Sequence, residues 1–197
     1  KPMKTAVILQ SNYIPWKGYF DLINDADLFV FYDDLQFTKN DWRNRNKIKT
    51  PKGVEWLSVP VGQGIHRRIC DVKISDSHWA TKHIRTLESN YRRAPFFADI
   101  ATLLSPFYRE REFEFLSDLN RNLIERICGY LGIQTKIRSV AEFEIGDDKT
   151  GRLVDLCAQT GANVYVSGPA ARTYLDESQF KSAGIVVEWF DYSGYPE

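Results

Sequence analysis

Short apolar runs alternate along the chain with longer segments whose apolar residues recur every three or four positions. The first run, residues 5–9 (TAVIL), is rich in β-branched side chains and predicts a buried strand. Residues 28–32 (LFVFY) predict a second, and residues 18–27 between them have the spacing of a short helix. Two strands joined by a helix favour parallel pairing.

The same alternation continues to the end of the chain. It predicts strands at 54–61, 70–76, 135–140, 163–168 and 185–190, and helices at about 78–91, 97–110, 113–131 and 149–161. Gly132 is expected to end the third of these helices at its C′ position. Residues 33–53 predict a polar loop. The pattern predicts one α/β domain over residues 1–197, with a mostly parallel sheet flanked by helices.

Charge and cysteine content exclude several classes of protein. The 26 basic and 26 acidic residues balance, which argues against a nucleic-acid-binding protein and leaves room only for a local basic patch. Three scattered cysteines form neither a disulfide framework nor a zinc motif, so we expect a cytoplasmic protein with no metal. No run approaches the roughly 20 apolar residues of a membrane span, and no signal peptide is apparent.

The loop after the first strand has the composition of a ligand-binding loop. In α/β sheets, ligands bind beyond the carboxyl ends of the strands, here after residues 9, 32 and 166. Amides that donate and accept, flat aromatic rings and a glycine near a helix start suit a polar ligand. The predicted binding residues of this loop are Gln10, Asn12, Tyr13, Trp16, Gly18 and Tyr19.

The segment after the second strand is dense in polar donors. Asp33 and Asp34 are adjacent carboxylates that can orient a cation, bind a metal or act as a base. Basic and aromatic residues beyond them suit a phosphorylated sugar or nucleotide. The predicted binding residues are Gln36, Lys39, Trp42, Asn44, Arg45, Asn46 and Lys47.

Two of the three histidines lie near the helix predicted at 78–91. His78 and His83 are five positions apart and share a helix face poorly, which disfavours a two-histidine metal site. His83 alone suits a general acid–base group because its ordinary pKa lies near neutrality.

A small-residue turn follows the strand at 163–168. Ser167 and Gly168 precede small residues that open a helix, an arrangement that can hold an anion, and Asp191 and Tyr192 are predicted to line the same cleft. The turn is neither a P-loop nor a nucleophile elbow, and the chain has no G-x-G-x-x-G dinucleotide motif.

Several spaced motifs together resemble the WbqC-like family of bacterial proteins, over residues 4–197. They are LQSNYIPWKGYFDLI, DDLQFTKNDWRNRNKIKTPKG, WLSVPV, a K-H block running to NYRRAPFF, and YVSGP followed by YLD. The matching residues are Gln10, Tyr13, Pro15, Trp16, Gly18, Tyr19, Asp34, Gln36, Lys39, Trp42, Asn44, Arg45, Lys82, His83, Tyr91, Ser167 and Gly168. The family usually continues past residues 194–197, so the resemblance implies a truncated carboxyl terminus.

The resemblance implies a role in surface-polysaccharide (O-antigen) synthesis. We expect a transferase that moves an acyl or aminoacyl group to the amine of a nucleotide- or lipid-linked sugar. His83, Asp34 and Gln10 are the predicted catalytic residues, and Lys82 and Tyr91 join the predicted binding residues. No cofactor is obligatory.

Two alternatives stay open. One is a nucleotidylyltransferase that uses ATP or CTP with Mg²⁺ near Asp33 or Asp34. A weaker similarity to the Rossmann-like nucleotidylyltransferases supports it, although residues 17–19 (KGY) replace their histidine motif. The other alternative is a non-catalytic sugar- or nucleotide-binding protein.

Overall fold

A computed structural model describes residues 2–64, 66–91 and 95–195, and side chains except those of residues 91 and 95–98. The backbone contacts divide the chain into two compact units. The first comprises residues 1–10, 16–32 and 133–197, and the second comprises residues 11–15 and 33–132. The expectation of one domain over residues 1–197 stays a prediction.

The structure contains most of the strands and helices that the sequence predicts, together with a strand at Arg45–Thr50 and a helix at Glu177–Ser182 that the sequence did not predict. The strands are β1 (Thr5–Leu9), β2 (Leu28–Phe31), β3 (Arg45–Thr50), β4 (Gly53–Ser58), β5 (Lys136–Ser139), β6 (Val164–Ser167) and β7 (Val186–Trp189). The α-helices are α1 (Lys17–Asp25), α2 (Trp79–Tyr91), α3 (Pro95–Arg109), α4 (Leu116–Tyr130), α5 (Lys149–Thr160) and α6 (Glu177–Ser182). Short 3₁₀ helices lie at Ile69–Asp71, Val140–Glu142 and Pro169–Thr173.

The first unit contains a five-stranded parallel sheet in the order β5-β2-β1-β6-β7. This confirms the predicted α/β class with a parallel sheet flanked by helices. The chain moves outward from β1 to β2 and β5, then returns to the other side of β1 for β6 and β7. The strand order therefore reverses between β1 and β6, where α/β sheets form a ligand crevice at the carboxyl ends of their strands.

Burial explains why the central strands are apolar. All four residues of β2 are buried, as are the three middle residues of β1. Strands covered on both faces need apolar side chains on both, which produces continuous apolar runs. Leu22 and Ile23 of α1, and Leu153 and Leu156 of α5, provide buried helix faces.

The second unit contains an antiparallel hairpin of β3 and β4, together with α2, α3 and α4. The prediction of a polar loop through residue 53 was wrong, because residues 45–50 form β3. β3 has one buried residue, Ile48, so its pairing with β4 rather than its apolar content makes it a strand. The strand predicted at 70–76 was also wrong, since a 3₁₀ helix and a single bridge at Lys73 occupy it.

Helix length and cysteine burial bear on membrane and redox chemistry. None of the helices in the described part of the chain combines the length and the apolar content that a membrane span requires. Cys70, Cys128 and Cys157 are free thiols. Burial raises the pKa of Cys128 and Cys157 to about 12, so both thiols stay protonated.

Left-handed glycines end two helices. Gly132 has φ 71° after α4, which confirms the predicted C′ glycine, and Gly161 has φ 75° after α5. Such a conformation is unfavourable for any residue with a Cβ atom.

We expect Gly161→Ala to lower the free energy of unfolding by about 1 kcal/mol, because alanine must adopt the left-handed region. The matched substitution is Gly129→Ala, inside α4, where an added Cβ meets no atom within 4 Å. It should raise stability by about 0.5–1 kcal/mol through helix propensity. Urea unfolding of both variants checks the pair, and an equal effect of the two substitutions would contradict this interpretation.

Candidate functional site

The carboxyl ends of β1 and β6 form one candidate site in the first unit. Gln10 follows β1, while Ser167 ends β6 and Gly168 follows it. Gln10 is half-buried, and its backbone carbonyl accepts a hydrogen bond of 2.9 Å from the hydroxyl of Tyr19. Tyr19 is buried and therefore positions Gln10 from within the core.

Trp16 lies at the start of α1 with its indole ring packed across Gly18. A Cβ atom added at Gly18 would lie 2.1 Å from that ring. The glycine thus admits the tryptophan, whereas the sequence predicted that it admits a ligand. Trp16 remains 44% exposed, so part of its ring faces solvent.

Two tyrosines from the end of the chain complete an aromatic wall with Trp16. The ring centroid of Tyr192 lies 5.4 Å from that of Trp16, and the centroid of Tyr195 lies 4.9 Å from it. A Cβ added at Gly168 would lie 3.2 Å from the Tyr192 hydroxyl oxygen, so glycine lets this hydroxyl approach the backbone closely. The aromatic wall, defined as Trp16, Tyr192 and Tyr195, can stack on a sugar ring or a base.

Hydrogen bonds hold the tyrosine end of the wall. Tyr195 donates to Asp21 at 2.6 Å, and the Lys17 ammonium donates to the same carboxylate at 3.0 Å. Together these donors lower the pKa of Asp21, and the carboxylate raises the pKa of Tyr195 to about 12. Burial also raises the pKa of Tyr192. Both tyrosines therefore stay protonated near neutral pH.

A buried polar cluster in the second unit surrounds the carboxylate of Asp33. Asp33 is 3% exposed and accepts hydrogen bonds from the Ser11 backbone N–H at 2.8 Å and the Ser11 hydroxyl at 2.7 Å. Ser117 donates a third. Asn120, fully buried, donates to the Ser11 hydroxyl at 3.2 Å and to the Arg43 carbonyl at 2.8 Å. These bonds satisfy a buried carboxylate without a metal ion.

His83 lies inside a chain of hydrogen bonds. Its Nε2 is 3.0 Å from the Ser58 carbonyl, which can only accept, so Nε2 carries the proton. Its Nδ1 then accepts from the Tyr13 hydroxyl at 2.8 Å, and the Tyr13 oxygen accepts from Tyr108 at 2.6 Å. Burial lowers the pKa of His83 to about 4. Both ring nitrogens are occupied, which argues against the predicted role of His83 as a general base.

The side chains of Asn44 and Asn46, which the sequence predicted to bind a ligand, donate hydrogen bonds to backbone carbonyls. Asn44 donates to the Val59 carbonyl at 2.9 Å, and Asn46 donates to the carbonyls of Tyr13 and Ile14. Ile14 has φ 44°, an unusual conformation for a β-branched residue. Asn46 therefore stabilises the turn at Ile14 by hydrogen bonds to its backbone.

Arg43 and Asn12 also take part in holding this loop. The Arg43 guanidinium donates to the Asn12 side-chain oxygen, and the Tyr13 N–H donates to the Trp42 carbonyl at 3.0 Å. The amide-rich composition that predicted ligand binding thus serves the folding of residues 11–15 in large part.

An exposed aromatic and cationic group lies on the hairpin. The ring centroids of Trp42 and Trp56 are 5.4 Å apart, and each residue is more than 40% exposed. The Arg45 guanidinium carbon lies 3.8 Å from the Trp56 centroid, and Lys47 Nζ lies 5.0 Å from it. The structure therefore brings together Trp42, Arg45 and Lys47.

The chain is similar to known proteins over nearly its whole length. The sequence matches the WbqC-like protein family over residues 10–197. The chain belongs to the WbqC-like family. It is also 52% identical over 196 residues to the uncharacterized protein Rv1507c of Mycobacterium tuberculosis, covering 98% of this chain and 84% of that protein. No solved structure matches the chain.

The remaining residues predicted for this WbqC-like chain are exposed, lie beside one of these groups, or fall outside the described residues. Lys39 and Lys82 are exposed, Gln36 makes a bridge with Arg68, and Asp34 is half-buried beside Asp33. The side chain of Tyr91 lies outside the described residues. Among the residues that the structure describes, no three histidine, cysteine, aspartate or glutamate side chains cluster so as to hold a metal ion.

Sequence reasoning missed the residues that complete each group. They are Tyr195 in the aromatic wall, Trp56 on the hairpin, and Ser11, Ser117, Asn120 and Tyr108 in the buried clusters. Trp56 alternates with buried Leu57 in a predicted strand, which marks it as outward-facing. The others are joined only by tertiary contacts.

We expect Asp33→Ala to lower the free energy of unfolding by about 3 kcal/mol, because buried donors on Ser11 and Ser117 lose their acceptor. Glu112→Ala, at an exposed position, is the matched control and should stay within about 0.5 kcal/mol of the parent. Urea denaturation measures both. A loss below about 1 kcal/mol for Asp33→Ala would show that the cluster is solvated rather than buried.

The low pKa of His83 predicts a pH-dependent stability. The unfolded chain binds a proton at His83 below about pH 6.5, whereas the folded chain does so only near pH 4. The contribution of neutral His83 to the free energy of unfolding is therefore fully present above pH 6.5. It falls by up to about 3 kcal/mol as the pH decreases toward 4. The difference in unfolding free energy between the parent and His83→Gln should narrow over this range.

Urea unfolding at pH 7 and pH 4.5 measures that difference. His78→Gln, at an exposed position, is the control and should keep the pH dependence of the parent. A parent-to-His83→Gln difference that is the same at both pH values would contradict burial of a neutral histidine.

Proposed function

We propose that this WbqC-like protein is a transferase acting on a nucleotide- or lipid-linked sugar in bacterial surface-polysaccharide synthesis. The observation that carries the proposal is the aromatic wall, half-exposed at the point where the strand order reverses. Parallel sheets bind ligands at that point. A cytoplasmic location belongs to the proposal and is supported by the free thiols.

The wall suits the apolar face of a sugar or a base. Flat rings provide contact area, and the Tyr192 hydroxyl beside Gly168 provides a polar handle. The side chain of Gln10 at the end of β1 can both donate to and accept from the ligand. These groups orient a substrate through contacts on two sides of the crevice.

The reaction that we favour is acyl or aminoacyl transfer to a sugar amine. The amine nitrogen bonds to the carbonyl carbon, the donor group leaves with the bonding electrons, and the amine proton passes to a base. The Gln10 amide is a donor of the kind that stabilises the developing charge on the carbonyl oxygen. His83 is not part of this proposal because both of its ring nitrogens are bonded within the fold.

A non-catalytic sugar- or nucleotide-binding protein is the second candidate. One observation favours it: both tyrosines of the aromatic wall have raised pKa values, so their hydroxyls stay protonated and do not serve as a general base near neutrality. Under this alternative the wall binds a ligand, and no turnover accompanies binding.

Thermal unfolding with a panel of nucleotide sugars tests the proposal. A ligand at a hundredfold excess over its Kd stabilises the folded state by about 2.7 kcal/mol, which raises Tm by roughly 5–10 °C. Trp16→Ala should remove the shift because it removes the centre of the aromatic wall. Tyr130→Ala is the control, since Tyr130 is an aromatic residue 43% exposed on α4.

The outcomes separate the candidates. A shift that Trp16→Ala abolishes, together with consumption of the ligand, supports the transferase. The same shift without turnover supports the binding protein. A shift that Trp16→Ala leaves intact would show that the ligand binds elsewhere, and the proposed site would be wrong.

A further inference from the structure

One face of the β3–β4 hairpin combines cations with exposed apolar side chains. In the antiparallel register, Lys47 pairs with Trp56 and Lys49 pairs with Val54, so these four side chains share a face. Arg45, two residues before Lys47, lies on the same face. Trp56 is 42% exposed and Val54 is 62% exposed.

The opposite face of the hairpin is directed into the second unit. Ile48 and Leu57 are buried there, and Glu55, which pairs with Ile48, lies on that side. The alternation of a strand thus places the acidic residue away from the cations. The basic face of the hairpin is defined here as Arg45, Lys47, Lys49, Val54 and Trp56, with Trp42 beside it.

Charge is concentrated in this segment. Residues 39–55 contain six basic and two acidic residues, a net charge of +4, in a chain whose total is zero. This is the local basic patch that the balanced composition left open. A concentrated positive field beside exposed aromatic rings attracts an anionic surface.

We propose that the basic face of the hairpin docks the protein on an anionic lipid surface. Tryptophan is enriched where membranes meet water, since its ring is amphipathic, and lysine and arginine pair with anionic headgroups. Val54 follows the turn between β3 and β4 and adds an apolar side chain to the face. This inference is independent of the sugar site in the first unit.

The geometry favours lipid over single-stranded nucleic acid. A base would stack on an open aromatic face. The Arg45 guanidinium already lies 3.8 Å over Trp56, and Trp42 is tilted by 45° against the same ring. A ring at the membrane interface needs no open face, so these contacts do not compete with lipid binding.

Co-sedimentation with vesicles tests the proposal. The full chain should bind vesicles of phosphatidylcholine with about 30% phosphatidylglycerol at low salt, and not vesicles of phosphatidylcholine alone. Each basic side chain near such a surface contributes roughly fivefold in affinity, so Lys47→Glu with Lys49→Glu should weaken binding by at least about 25-fold. Salt at about 1 M should abolish binding because it shortens the Debye length to about 3 Å.

A matched variant controls for total charge. Lys136→Glu with Lys181→Glu makes the same change in net charge at exposed positions outside the hairpin and should bind like the parent. If Lys47→Glu with Lys49→Glu unfolds the hairpin, Lys47→Gln with Lys49→Gln replaces it. This variant removes the two positive charges without adding negative ones and should also weaken binding to the anionic vesicles.

Three results would overturn the inference. They are no binding to the anionic vesicles, equal weakening by the hairpin and control variants, and tighter binding to a single-stranded oligonucleotide than to vesicles. Thermal shifts with nucleotide sugars report the first-unit site separately, so failure of one proposal is distinguishable from failure of the other.

Discussion

The pairing of β1 on both of its edges is the constraint on which the first unit depends. β1 bonds to β2 on one side and β6 on the other, both in parallel. A strand in the middle of a parallel sheet with helices on both faces has a buried, apolar centre, as Ala6, Val7 and Ile8 show. The same placement makes its carboxyl end the point where strand order reverses. One set of hydrogen bonds therefore fixes both the core and the position of Gln10.

In the second unit, polar side chains from an amide-rich part of the sequence make hydrogen bonds within the fold. The Asp33 carboxylate holds the Ser11 backbone and hydroxyl, while Asn46 holds the carbonyl of the strained Ile14. A buried polar group without a partner costs more than an ordinary hydrogen bond contributes, so each of these residues is needed where it lies. Asparagine-rich loops are consequently ambiguous in a sequence: the same amides suit a ligand and a backbone carbonyl.

The sequence predicted the sheet well because its signal is local. The apolar composition of segments such as residues 5–9 and 28–32 is by itself enough to indicate that they are buried. β3 escaped prediction because its sequence, RNKIKT, contains a single buried residue and its pairing comes from β4. The surroundings of His83 escaped prediction for a related reason. Its neighbours in the fold, Tyr13 and Ser58, are distant in sequence, so nothing local indicates that both ring nitrogens are bonded.

Charge separates the two surfaces that we assign to ligands. At the aromatic wall the nearby ammonium of Lys17 is already bonded to Asp21, which also accepts from Tyr195. That arrangement favours recognition of an uncharged ring over recognition of a phosphate. On the hairpin the cations lie on a face that excludes Glu55, so their field is directed to solvent. An uncharged ring therefore suits the wall, whereas an anionic surface suits the hairpin.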